Sequence, residues 1–368
     1  MNLAPERGAG PLSAPLWLVG RDYGAEEAAR RAPFVGQAGH VLDAALRAAG
    51  LARIDVRIDN LVPVQPPAND FARHRPEDVA WGAQRLAALL DTHRPRVIIA
   101  FGAEVSRFLV GDAWPDDGIQ ALRGYLWDTR FGRVLTSVHP AAMLREWTPW
   151  RALLDVDLRR AKAEVEAGAP PLTTREVTVV THEHELHELQ AAIATTRPQG
   201  GTRFPFDGVN WLSVDIENTH DLQLACVGFA PTPERAWVIP AHAPWQLDAI
   251  CALCESPTPK VLQNGQYDRF FLKRFAGIAL RAQVFDTQLA WHALNPELAG
   301  KKAQVGYRKA SGRRTAKSLK FLASIYLRVP HWKAYDFASD DEQYTLCGRD
   351  CCNTLDIALK QRAQLGAA

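Results

Sequence analysis

The stretch Trp211-Leu-Ser-Val-Asp-Ile-Glu-Asn-Thr219 decides how the rest of the chain is read. Trp211, Leu212, Val214 and Ile216 are apolar and partly β-branched, the composition of a buried strand. Asp215 and Glu217 stand two apart near its carboxyl end, and period-two geometry puts both on one face, within reach of a shared metal ion. The carboxyl ends of strands in an α/β sheet are where ligands bind. Alone, the pair equally describes a solvated strand end.

Three later stretches change that. Val261-Leu-Gln-Asn264-Gly-Gln-Tyr-Asp268-Arg-Phe-Phe-Leu272 reads as a short strand, a turn and an amphipathic helix carrying Asp268. Phe285-Asp286-Thr287 is an acid entering an apolar helix, and Leu346-Cys-Gly-Arg-Asp350 lies in a terminal helix. In order and spacing these motifs resemble the DEDD family of 3′–5′ exonucleases, nearest the proofreading domain of family A DNA polymerases, over roughly residues 174–362. Ser318-Leu-Lys-Phe-Leu-Ala-Ser-Ile-Tyr326 belongs to the same resemblance. It implies a ribonuclease H-like (DnaQ-like) mixed sheet, with Asp215, Glu217, Asp268 and Asp350 as catalytic metal ligands and Asn264 and Asp286 as supporting positions. The implied cofactor is a pair of Mg²⁺ or Mn²⁺ ions. Hard cations want carboxylate oxygens, and two of them about 3.5–4 Å apart activate water and stabilise the leaving oxygen. Four crowded acids would otherwise repel one another.

Composition sets outer bounds. The 368 residues allow two or three domains, and 47% hydrophobic with 23% charged content describes an ordinary globular chain. No run approaches the about 18 apolar residues of a membrane span, and no basic-plus-apolar signal opens the chain, so a cytoplasmic setting (bacterial or phage-infected cell) is expected. A net charge of +2 leaves nucleic-acid binding to local patches. All six cysteines fall between Cys226 and Cys352. Cys251-Ala-Leu-Cys254 has metal-ligand spacing without a second pair, so buried free thiols are the expectation.

Working back to the first half, Leu16-Trp-Leu-Val-Gly20, Val56-Arg-Ile-Asp-Asn60, Arg96-Val-Ile-Ile-Ala100 and Arg133-Val-Leu-Thr-Ser-Val-His139 read as strands alternating with helices over His40–Ala49, Pro76–Thr92 and 149–166. Such alternation predicts a parallel sheet with loops gathered at the strands' carboxyl ends. The segment Pro33-Phe-Val-Gly-Gln-Ala-Gly39, strand-end Asn60 followed by Pro66-Pro67, Gly102-Ala103, and His139-Pro140-Ala together resemble the uracil-DNA glycosylase superfamily over roughly residues 14–160. The nearest families are those that usually carry an iron–sulfur cluster. The resemblance implies an α/β/α domain in which Phe34 stacks on a flipped base, Asn60 reads it, His139 attends the leaving base and Asp22 activates water. Two departures stand out. Residues 1–225 contain no cysteine, so no iron–sulfur cluster is expected there. The first motif, usually Gly-Glu-Ala-Pro-Gly, is Gly20-Arg-Asp-Tyr-Gly24. A glycosylase fold kept for DNA binding or protein contact remains the alternative.

Periodicity lapses near residues 167–174, which separates a glycosylase-like domain (1–166) from an exonuclease domain (174–368). In the second, Lys301, Lys302, Arg308, Lys309, Arg313, Arg314, Lys317 and Lys320 crowd a stretch without an acid, a candidate phosphate track. The resembled family places a Tyr four, or a His five, residues before its final Asp. Here those positions hold Leu346 and Thr345, and Tyr344, six back, falls on another helix face. Lys333 and Tyr335 are candidates for the missing function.

The combined expectation is a metal-dependent 3′–5′ DNA exonuclease acting on single-stranded 3′ ends, fused to a glycosylase-like DNA-binding or uracil-excising module. Glycosylase-like modules front some phage-type family A polymerases, and this chain stops where a polymerase would begin; a separate family A-type DNA polymerase is therefore an expected partner. Two alternatives stand: both modules serve uracil repair, or both sites are degenerate and the chain is a DNA-binding, polymerase-accessory protein.

Overall fold

The computed structural model describes residues 7–115, 118–145, 150–196, 210–296, 308–309, 312–313, 318–332 and 339–367. The chain divides into two compact units at Leu172/Thr173, with Arg308–Lys309, Gly312–Arg313 and Arg328–His331 belonging to the first, so Arg308, Lys309 and Arg313 of the cationic stretch do not lie in the second unit as expected.

In the first unit, β1 (Leu16–Asp22), β2 (Arg57–Val62), β3 (Val97–Phe101), β4 (Leu126–Thr129) and β5 (Gly132–Ser137) form one sheet in the order β2-β1-β3-β5-β4. The first four in that order run parallel, whereas β4 pairs antiparallel with β5. The sequence analysis did not foresee this edge strand. Leu-Trp-Asp-Thr is too mixed for an apolar run, and only its pairing with β5 defines it. Alternate residues face opposite layers, as the pleat requires. Leu16, Leu18, Ile58 and Ile99 pack with Leu42, Leu46, Leu154 and Leu158 on one side. Trp17, Val19, Ile98 and Ala100 pack with Leu86, Leu90, Val105 and Leu109 on the other. The result is the α/β/α domain expected, with strand-end loops at one edge. A buried ion cluster braces it: Asp59 accepts from Arg57 (3.1 Å) and Arg85 (2.6 Å). Late in the chain, Arg328 pairs with the buried Glu164 of this unit.

In the second unit, β6 (Glu176–Val179), β7 (Leu212–Asn218), β8 (Leu224–Ala230), β9 (Arg235–Pro240), β10 (Lys260–Leu262) and β11 (Gln283–Asp286) lie in the order β11-β10-β7-β8-β9-β6. An antiparallel meander β7-β8-β9 is followed by β10 and β11, which return parallel on the far side of β7. This mixed sheet is the ribonuclease H-like arrangement, and β7 is its centre.

The helix Asp340–Ala367 packs across β7, β8 and β9. Its close approach depends on Gly228, the cross-strand partner of Asp215. A Cβ there would lie 2.6 Å from Cys351 Sγ and 2.9 Å from Cys347 Sγ. The cysteines are free thiols, all buried but Cys251, which is half-buried. Cys226, Cys347, Cys351 and Cys352 thus fill the seam between helix and sheet, as small soft hydrophobes do. Among the described residues no helix is long and apolar enough to cross a membrane.

Candidate functional sites

The carboxyl ends of β1, β3 and β5 open into a cleft of about 560 Å³ whose walls include Asp22, Phe34, Asn60, Gly102 and His139. Phe34 sits in the left-handed region at φ 51°, strained for an aromatic residue. The strain is held by its neighbours: Glu27 Oε1 accepts from the Val35 (3.0 Å) and Gly36 (2.8 Å) amides, and Arg53 donates to the Phe34 carbonyl (3.0 Å). The Phe34 ring lies nearly parallel to His139, centroids 5.3 Å apart, and meets Phe101 edge-on. Gly20 makes this possible, since a Cβ there would come within 2.6 Å of the Phe34 ring and 2.7 Å of Asn60 Nδ2.

Asn60 is buried; its Nδ2 donates to the Asp22 carbonyl (3.1 Å), and its Oδ1 has no hydrogen-bond partner among the described residues. His139 Nδ1 accepts from the Ala141 amide (3.1 Å), so a neutral ring carries its proton on Nε2. Asp22 pairs with Arg21 through Oδ1 (3.1 Å) and faces His74 Nε2 across 3.5 Å through Oδ2. Burial raises its pKa against the pull of Arg21 and His74. Arg21 also reaches Glu104 (3.4 Å). Tyr23, which stands where the motif usually has its proline, turns inward and donates to the Arg7 carbonyl.

The acids of the second unit come from three separate elements. Asp215 and Glu217 project from β7, Asp268 from the helix Gln266–Phe271 and Asp350 from the terminal helix. They feel one another's charge. Burial, then the Cys347 sulfur and the other three acids, push Asp215 well above the carboxylate range. Burial and the same neighbours lift Glu217 to about 8, and burial lifts Asp268 and Asp350 to about 7. Asp268 accepts from the Ile216 amide, which ties it to β7. Trp332 Nε1 donates to Asp350 Oδ1 (2.7 Å), and the Lys320 ammonium offsets part of the rise at Asp350.

As the side chains stand, no three His, Cys, Asp or Glu among the described residues are close enough together to form a metal cage. The donor chemistry nevertheless fits a hard divalent cation: four carboxylates held protonation-prone by burial and mutual repulsion are relieved by positive charge.

The supporting positions divide. Asp286 caps the helix Thr287–Leu294, accepting from the Gln288 (2.8 Å) and Leu289 (3.2 Å) amides, and it also accepts from Gly265 (2.8 Å) and Asn264 (3.3 Å). Its oxygens are thus engaged with backbone. Asn264 is exposed at φ 60°. Tyr344 packs with Cys226, Val238 and Cys347, and its hydroxyl faces His242 Nε2 across 3.5 Å. Lys301, Lys302, Arg314, Lys317, Lys333 and Tyr335 lie outside the described residues; Arg308, Lys309 and Arg313 are described only as backbone of two short antiparallel strands.

Comparison with known proteins decides the first unit. A model of the uracil DNA glycosylase superfamily matches residues 7–160. The type-4 uracil-DNA glycosylase of Thermotoga maritima is 34% identical over 165 residues, 43% of this chain and 82% of that protein. The chain belongs to the uracil DNA glycosylase superfamily. The Archaeoglobus fulgidus type-4 enzyme is 32% identical over 142 residues, 37% of this chain and 70% of its own length.

Among solved structures, the polymerase domain of Pol1 from M. smegmatis aligns at 17% identity and a TM-score of 0.35, covering 52% of this chain and 28% of that one. Brucella melitensis NrnC aligns at 20% identity and 0.31, covering 43% and 76%. The second unit is therefore read from its own residues.

Within this glycosylase-superfamily chain, Asp22, Phe34, Asn60 and His139 line one cleft, whereas Asp215, Glu217, Asp268 and Asp350 are near enough to raise one another's pKa without forming a closed cage. Sequence reasoning missed Glu27 and His74 in the first unit and Trp332 in the second, and it read Lys320 only as part of a cationic track. Glu27 and His74 act on residues near in space, and each sits in a run of like polar residues that reads as solvated surface. Lys320 and Trp332 carry a weak signal: a lysine inside the apolar run Leu319–Ala323 has to find a buried partner.

Proposed function

We propose that the chain is a two-module DNA-processing enzyme: a uracil-excising first unit and a metal-dependent 3′–5′ exonuclease second unit. The observation that carries it is the meeting of Asp22, Phe34, Asn60 and His139, from four separate segments, on one cleft at the strand ends. A flipped base entering that cleft stacks on Phe34. Asn60 Oδ1, buried and unpartnered, accepts the imide N–H of uracil. His139 Nε2–H donates to the carbonyl oxygen that gains charge as the glycosidic bond breaks. Asp22, its basicity raised by burial, takes a proton from water. No iron–sulfur cluster enters this reading, because the unit offers no thiol to hold one.

In the second unit Asp215, Glu217, Asp268 and Asp350 would hold Mg²⁺ or Mn²⁺. Two such ions supply a nucleophilic water and screen the phosphate. Trp332 and Lys320 fix and partly neutralise Asp350, while Gln343 hydrogen-bonds Glu217. Trimming single-stranded 3′ ends suits proofreading for a separate family A-type polymerase, which co-purification with that polymerase would check.

The experiment uses a 5′-labelled single strand with one internal uracil. Alkali-sensitive abasic sites formed in chelator, and lost in His139→Ala, support excision. A ladder formed only with Mg²⁺ or Mn²⁺, and lost in Asp215→Ala/Glu217→Ala, supports the exonuclease. Silence of the wild type in both arms overturns the proposal in favour of a DNA-binding accessory.

A further inference from the structure

The helix that carries Asp268 has an outer face which neither site uses. Among the described residues, the exposed large apolar side chains that are aromatic are Tyr267 (47%), Phe270 (62%) and Phe275 (43%), all within this one segment. Its inner side, Phe271 and Leu272, is fully buried and anchors it. After Phe271 the helix widens into a π turn, Leu272–Ala276. A π turn brings residues five apart onto one face, where an α-helix would rotate them away. Phe270 and Phe275 accordingly stand side by side, centroids 6.4 Å apart and edge-to-face, with Phe271 beneath Phe275 at 4.9 Å.

Arg269, Lys273 and Arg274 surround these rings and are exposed, and none of them forms an ion pair among the described residues. The Arg274 guanidinium sits 5.5 Å from the Phe275 ring centre. The only acid between Gln266 and Arg281 is Asp268, which points inward. The patch begins one residue from that acid, and Tyr267 OH binds Asn218 Oδ1 (2.9 Å), next to Glu217.

We propose that Phe270 and Phe275, with Arg269, Lys273 and Arg274, form a landing surface for single-stranded nucleic acid beside the acid cluster. Bases stack on the two rings and phosphates pair with the three cations, the combination that binds single strands without sequence preference. A second copy of the chain is the poorer occupant: a two-fold contact would set three unpaired cations against their own copies. A polyanion complements them. The part of this surface in trimming rests on the exonuclease reading; its binding does not, because binding needs no cleavage.

The test is fluorescence anisotropy of labelled dT20 with the full chain in chelator, across a salt series. The expected result is about thirtyfold or greater weakening of binding by Phe270→Ala/Phe275→Ala. For Arg269→Gln/Lys273→Gln/Arg274→Gln the log–log salt slope should be shallower by about 2, the loss of three phosphate contacts on a single strand. Photo-crosslinking with 5-iodouracil in the strand should label residues 266–281. Asp215→Ala/Glu217→Ala serves as control and should still bind and crosslink there, so that failure of the nuclease is separable from failure of the surface. Wild-type affinity and slope in both patch variants, crosslinks confined to other residues, or a wild-type dimer that dissociates in the phenylalanine variant would each overturn the proposal.

Discussion

The two sites are built on opposite electrostatic plans. In the cleft of the first unit the working groups are aromatic, neutral or already paired: Phe34 against His139, Asn60 on the Asp22 carbonyl, Asp22 between Arg21 and His74. Its geometry is held by the scaffold, through Glu27 on the Phe34 loop and the Asp59 cluster behind Asn60. The second site gathers like charges from three elements and leaves them raised in pKa, first by burial and, at Asp215 and Glu217, also by the other acids. One site is preorganised; the other holds buried acids that ionise unfavourably, which a cation would relieve. Under the proposed function both would serve a negatively charged polymer, and only the second would draw positive charge from solution.

The largest expected effect tests that contrast directly. Asp215→Ala/Glu217→Ala, or chelator, should lower Mg²⁺-supported trimming by more than about 100-fold, since outer-shell losses at metal sites already cost 10–100-fold. Uracil release should continue at the wild-type rate. A chelator-sensitive uracil release would break the comparison. Next, His139→Ala should slow uracil release by about 100-fold, the usual cost of one donor to a developing oxyanion, with trimming untouched.

The third effect is one of stability. The acids' folded pKa values stand above their unfolded ones, so the folded state binds more protons and stability falls as pH rises. The favourable contribution is complete below the unfolded carboxylate range and is lost as pH climbs through about 7 for Asp268 and Asp350 and about 8 for Glu217. Melting in chelator should therefore drop from about pH 5 to about pH 8. Mg²⁺ at the upper end should restore it, and Asp350→Asn should flatten the profile. A flat wild-type profile would mean that burial and neighbouring charge do not raise the acids as described. Smallest of all, Asp286→Ala should cost about 1–2 kcal/mol in urea unfolding through the lost cap, equally with and without Mg²⁺. A metal-dependent cost would instead make Asp286 part of the ion site.

Much of both sites was legible because their residues sit in strand and helix patterns that repeat locally. Asp215 and Glu217 share a face by the pleat alone, and the six-residue offset of Tyr344 from Asp350 sets the two on different helix faces by geometry alone. The motif around Phe34 was recognisable, but its left-handed backbone was not, because the Glu27 and Arg53 contacts that hold it come from 7 and 19 residues away. Asp286 read as a supporting position for the acids, and the structure gives it a helix cap as well, since an acid before an apolar helix has the same local signature in both roles. The antiparallel β4 gave no periodic signal.

By itself the sequence determined the two α/β modules, the acids and the cleft residues, since alternating apolar runs, glycines and spaced carboxylates are local facts. The tertiary structure alone decided what lies behind those residues: His74 at Asp22, Trp332 and Lys320 at Asp350, and the thiol seam at Gly228 that lets the last helix reach the sheet. Such contacts join residues far apart in the chain. They are set by packing across elements, which no window of local sequence contains.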